Sequence, residues 1–205
     1  MQFLVVLPDG SRAVKSNPGW LTGDTPETAR PLTADELVAM GFGRKIIDEP
    51  PPFDAEKQTR ILSPIDEWGV TETTATAKYV VSDLPFEAVR ANKLAALADK
   101  RWTIENGGVV INGASVRTDA NSQAKITGAV SLFQNDPELE SIDWEAQPGV
   151  WVTLDAATMK AIGIAVGRHV QACFSRARAL SASIMAAPDI EALDAVDIEA
   201  GWPGQ

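Results

Sequence analysis

One cysteine, one histidine and one tyrosine stand among 205 residues, and that scarcity narrows the chemistry at once. Cys173 alone cannot close an intrachain disulfide, so nothing calls for an oxidising compartment. With His169 as its sole possible companion it cannot build a zinc site, which wants three or four ligands. Basic residues are in the minority, 18 Lys and Arg against 28 Asp and Glu, for a formal net charge of −10. Such a balance repels phosphate backbones, so nucleic acid is not an expected partner. No apolar run approaches the ~20 residues of a membrane helix, and no membrane insertion is expected. The opening residues, Met1 to Pro8, lack the basic region and apolar length of a signal peptide, which predicts synthesis and folding in a cytoplasm. Phosphate-loop, dinucleotide and nucleophile-elbow patterns are missing too.

What is present suits a folded chain: 45% hydrophobic and 22% charged residues. Residues 1–82 read as a small, mostly β module. Phe3 to Leu7 forms a compact apolar strand ending at Pro8, Asp9 and Gly10, a turn in which proline sets φ and glycine accepts positive φ. Thr33 and Glu36 are spaced as a capping box, and the helix they open should stop at Gly41. Lys45–Asp48, Thr59–Leu62 and Thr76–Ser82 are further strand candidates. Pro50 to Pro52, before Phe53, make a stiff connector.

Residues 83–205 read as an α+β domain with hairpins and long helices. Asp83 is placed to cap a helix with Pro85 in its first turn, and Ala91, Leu94, Ala95, Ala98 and Trp102 mark an expected buried stripe. Asn112-Gly113 is a strong hairpin signal, since a type I′ turn needs positive φ twice. Asp119 caps the next helix, which carries Ile126, Val130 and Phe133. A second hairpin is expected around Pro148 and Gly149, and Trp102, Trp144 and Trp151 fall in expected core elements. From about Asp155 to Ala187 no proline interrupts. There Met159, Ile162, Val166, His169, Cys173, Ala177, Leu180 and Ile184 recur at steps of three and four. This helix should pack on helical surface, in the same chain or in a neighbouring copy, so a homo-oligomer is possible.

Candidate chemistry is thin. His169 and Cys173 sit one turn apart on an apolar seam, where a core histidine with a local hydrogen bond outweighs a metal ligand or a nucleophilic pair. Asp189, Glu191, Asp194, Asp197 and Glu199 lack the glycine and terminal glutamate of a calcium loop, leaving helix capping and a solvated tail. Glu138 and Glu140 resemble a surface turn rather than an acid–base pair. Arg168, Arg176 and Arg178 read as a solvated helix face. No catalytic, cofactor-binding or metal residues are assigned. Gly163 and Gly167 form a step that admits a close second backbone, so the candidate interface residues are Gly163, Gly167, His169 and Trp202. Trp20, Trp68 and Trp202 lie in loops or near the end, as lids over a core or as contact residues.

The run from Asp83 to Pro203 resembles a domain family of uncharacterised mechanism found in bacteriophage tail genes, often in tail-fibre or tail-fibre-assembly proteins. The resemblance is carried by Arg101, Asn112-Gly113, Thr118-Asp119, Ser122-Gln123, Gly128, Trp144, Trp151, His169 and Gly201-Trp202-Pro203. It implies a non-enzymatic, structural virion component of the tail or its fibres, bound to other tail or fibre proteins, with residues 1–82 as a variable attachment module. The other readings are an assembly chaperone that leaves before the virion is complete, and an enzyme acting on host surface polysaccharide. Either tail role implies residence in the host cytoplasm during assembly, and in the virion tail if the part is permanent.

Overall fold

The computed structural model of the chain describes residues 2–7, 10–16 and 33–204. It divides into two units, Met1–Leu84 and Pro85–Gln205, the first mostly β and the second α+β with long helices and hairpins.

In the first unit, strands β1 (Gln2–Val6) and β2 (Arg12–Ser16) form an antiparallel pair. Gly10, between them, has φ +84°; Pro8, Asp9 and Trp20 lie outside the described residues. Helix α1 (Ala34–Ala39) follows Thr33 in the expected capping box, with Thr33 Oγ1 accepting from Glu36 N and Glu36 Oε2 accepting from Thr33 N. Gly41 stops it at φ +74°. Strand β3 (Arg44–Ile47) pairs with β1, and β4 (Gln58–Leu62) lies elsewhere. Beyond β5 (Gly69–Val70), the strand expected over Thr76–Ser82 is two strands, β6 (Thr74–Thr76) and β7 (Tyr79–Asp83). The chain changes sheet between them, β6 running parallel to β3 and β7 antiparallel to β4. The larger sheet has the order β2-β1-β3-β6-β5. Leu37 and Ala34 of α1 bury Phe3, whose ring meets Phe42 edge-on at 5.5 Å. On the β4–β7 pair, Arg60 lies 4.5 Å from the Phe53 ring centroid and donates to Pro51 O, anchoring the proline connector.

The second unit opens with α2 (Phe86–Asn106), whose N-cap is Pro85, without a side-chain cap. Asp83 does not cap it: it ends β7 opposite Gln58, and its carboxylate accepts from Gln58 Nε2 at 3.0 Å. The α2 stripe is also rotated from the expected one. Val89 and Leu97 are buried, whereas Ala91, Ala95, Ala98 and Trp102 are exposed, Trp102 by 63%. Strands β8 (Val109–Ile111) and β9 (Ala114–Val116) close through Asn112 at φ 51° and Gly113 at φ 83°, the expected type I′ turn. Helix α3 (Ala120–Asn135) starts on Asp119, which accepts from Ser122 N. Strands β10 (Ser141–Gln147) and β11 (Val150–Asp155) form the second hairpin, with a bulge between Glu145 and Gln147. Helix α4 (Ala156–Ala186) runs 31 residues from its Asp155 cap, about 46 Å. The short α5 (Ile190–Asp194) is capped by Asp189, as expected.

Helix α4 is the spine of this unit and packs against both α2 and α3. Its seam is buried at Met159, Val166, His169, Cys173, Leu180 and Ile184. Around Met159, Val166 and Ile126 gather the inward residues of both hairpins, among them Val109, Ile111, Ile142, Trp144 and Leu154. Three basic residues of α2 hold the chain after α4: Arg90 donates to Ala187 O, Lys93 to Leu193 O, and Lys100 pairs with Glu199.

Candidate functional site

Two hairpins that do not pair with each other leave a groove in the second unit. Each is a two-stranded sheet of its own. Between them opens a cavity of about 590 Å³, lined by Ile111 of β8, the Asn112 turn, β9, β10, β11 and the first turns of α3 and α4. Its floor is apolar, with Val116, Ile126, Trp144, Val152, Leu154 and Ile162. Its rim carries Arg117, Asp119, Lys125 and Glu145. Floor and rim have the make-up of a binding site, apolar with a few polar groups at the edge.

The electrostatics at the rim are partly committed. Asp119 accepts from Ser122 N and from Ser122 Oγ, the second at 2.8 Å, and these bonds hold its carboxyl below the ordinary value. Arg117 approaches Asp119 at 3.4 Å. Glu145 accepts from Gly149 N and braces the bulged hairpin. Lys125 makes no ion pair or hydrogen bond among the described residues.

The four candidate interface residues fall in different surroundings. Gly163 faces α3, where an added Cβ would meet Val130 at 3.0 Å and Ile126 at 3.7 Å. Gly167 borders open space instead, so within the chain the close approach is at Gly163. His169 is buried, and its Nε2 lies 3.1 Å from Ile104 O. Trp202 is buried and donates to Ile198 O at 2.8 Å. Cys173 lies 3.9 Å from His169 Nε2; burial pushes its thiol up, and the Glu105 carboxylate adds to that. A thiol so placed is a poor nucleophile.

Thr118 has a role that its place in the sequence does not announce. It is fully buried, donates to Glu105 O at 2.5 Å and accepts from Gly108 N at 2.9 Å. His169 and Thr118 thus meet the carbonyls of Ile104 and Glu105 at the end of α2, where Ile104 O also accepts from Gly107 N. Gln123 Nε2 donates to Thr118 O, tying the start of α3 to the same corner. Of the expected solvated arginines, Arg176 departs: its guanidinium lies over Gly201 and donates to Ala200 O at 2.8 Å. The tryptophans expected in the core separate as well. Trp144 packs on the core, whereas Trp151 is 65% exposed on the outer face of β11. Among the described residues no cluster of His, Cys, Asp and Glu is arranged to hold a metal, and no helix is long and apolar enough to cross a membrane.

The groove was not legible in the sequence. Both hairpins were, but that they stand apart depends on how α3 and α4 carry them. No curated protein and no solved structure is significantly similar to the chain. One protein family does match, described as "Domain of unknown function (DUF4376)", over residues 88–200. That span holds α2 through α5 with both hairpins, more than half of the chain, and the protein belongs to this family.

Proposed function

We propose that this protein is a non-enzymatic bacteriophage tail protein, a structural component of the tail or tail fibre that acts by binding other tail or fibre proteins. The observation that carries the reading is how the family domain divides its residues. Its polar candidates, His169, Thr118, Arg176 and Trp202, are turned to internal bonds. Its open surface offers instead an apolar groove, with Val150 exposed at the second hairpin and Trp151 exposed on that hairpin's outer face. An apolar groove and exposed aromatic or aliphatic groups are the material of protein contacts. The net charge of −10 agrees with protein rather than nucleic-acid partners. The resemblance of residues 83–203 to proteins of phage tail genes supports the same reading.

Disrupting the gene in the phage that encodes the protein tests this. Electron microscopy should then show filled heads with tails or fibres missing, shortened or unattached. Fully formed, fibred particles would contradict it.

A further inference from the structure

We propose that the groove between the hairpins is a strand-acceptor site, binding an extended segment of a partner protein that alternates apolar with polar side chains and carries a carboxylate. This rests on the contact-based function above and specifies the contact.

In a two-residue hairpin the residues flanking the turn, Ile111 and Ala114, are a hydrogen-bonded pair. The next pair, Val110 and Ser115, therefore points its amides and carbonyls outward, and those of Ser115 leave the free edge of β9. Ala114, Ser115, Val116 and Arg117 all line the groove. Successive residues of a strand point to opposite faces, so a run of them around one cavity places that cavity at the strand's edge. At β10, Trp144, Glu145 and Ala146 also line the groove, but the bulge between Glu145 and Gln147 breaks the alternation there, so they mark no edge. Strand β11 contributes Val152 and Leu154 in alternation, which is a face and not an edge.

The free edge of β9 thus borders one apolar floor. A strand takes about 4.8 Å of sheet width, about 10 Å of layer thickness and about 3.3 Å of length per residue, so a cavity of about 590 Å³ suits about four extended residues. Main-chain bonds to an open edge give affinity in this mode, and pockets for alternate side chains give specificity. A compact small molecule would leave the edge groups unmatched. Charge selects among segments. The Asp119 and Glu145 carboxylates are engaged by Ser122 and Gly149, while Lys125 has no ion pair among the described residues. The rim's two cations and two carboxylates balance and Arg117 lies beside Asp119, so Lys125 is the cation left to meet one carboxylate of the segment.

A yeast-displayed library of random peptides selected on the full-length protein supplies the probe, and recovered peptides are titrated by fluorescence anisotropy. They should alternate apolar and polar residues and carry Asp or Glu. Ser115→Pro removes only an outward amide, a change tolerated on edge strands, and should weaken binding by at least about tenfold, while Ser115→Ala should not. Lys125→Glu should weaken binding and reduce its salt dependence. On the unmodified protein, bound peptide should slow amide exchange at Ser115 and leave Val110, on the opposite edge, unchanged. Peptides that bind Ser115→Pro as well as wild type and leave Ser115 exchange unaltered would overturn the proposal. So would a dimer seen by light scattering that Ser115→Pro dissolves, since a second copy would then occupy the groove. Strand binding by a protein whose loss leaves virions intact would refute the tail function alone. Defective tails without strand binding would refute the groove alone.

Discussion

Gly163 and Gly167 sit one turn apart on α4 and have opposite surroundings. At Gly163 a side chain must displace Val130, whereas at Gly167 it enters open space. Gly167→Ala should raise stability by about 0.5–1 kcal/mol, through helix propensity alone. Gly163→Leu should lower it by about 1–3 kcal/mol by overpacking against α3. Urea unfolding of both variants checks this, and equal shifts would mean α3 does not lie where described. The helix caps make a second residue-scale case. Asp119 and Asp155 are held below the ordinary carboxyl value chiefly by side-chain hydrogen bonds, from Ser122 and Thr158, with the backbone amides of those residues adding to the effect. A carboxylate lowered in the folded state adds stability above its unfolded value, and that stability is lost as pH falls through the folded value. The melting-temperature gap between wild type and the double variant Asp119→Asn, Asp155→Asn should therefore be constant above about pH 5 and shrink below about pH 4. A gap unchanged down to about pH 2 would show that these carboxylates are unperturbed.

Hairpins and helix ends belong to the next scale, where the sequence proved uneven. The Asn112-Gly113 turn was legible because positive φ at two successive residues is a local demand. Gly113→Val should cost about 1–3 kcal/mol, since a β-branched residue resists φ near +83°, and a variant melting like wild type would contradict the turn. The α4 seam was legible too, its apolar period lasting 31 residues. Helix α2 departs from its apolar pattern for a physical reason. Its buried face includes Arg90, Lys93, Lys100 and Arg101, whose stems lie along the protein while their heads reach carbonyls or carboxylates. Charge on a helix reads as solvent-facing, so the sequence pattern places the alanines in the core. The tryptophans show the same limit: a strand alternates faces, and which face is inward depends on partners distant in sequence. Trp151→Ala should shift stability by less than about 0.5 kcal/mol, while Trp144→Ala should cost about 2–4 kcal/mol. Thermal melting of the two variants separates the faces, and a larger loss at Trp151 would reverse them. The groove was beyond sequence for a related reason, since it is a gap between elements and no residue pattern encodes a gap.

Across the whole molecule, the family match stays within the second unit, and the mixed sheet of the first lies outside it. In the proposed function the family domain acts by contact, through the apolar groove and the exposed hairpin face. A virion part must remain bound through particle purification, whereas an assembly chaperone leaves and an enzyme in solution need not be bound at all. Quantitative peptide mass spectrometry of purified virions, alongside tail intermediates from the same lysate, therefore tests the central claim most directly. The account predicts peptides from this chain in both samples, in constant ratio to a known tail protein. Peptides in the intermediates but not in the virions would contradict a structural role and assign the protein to assembly; absence from both would remove the tail reading.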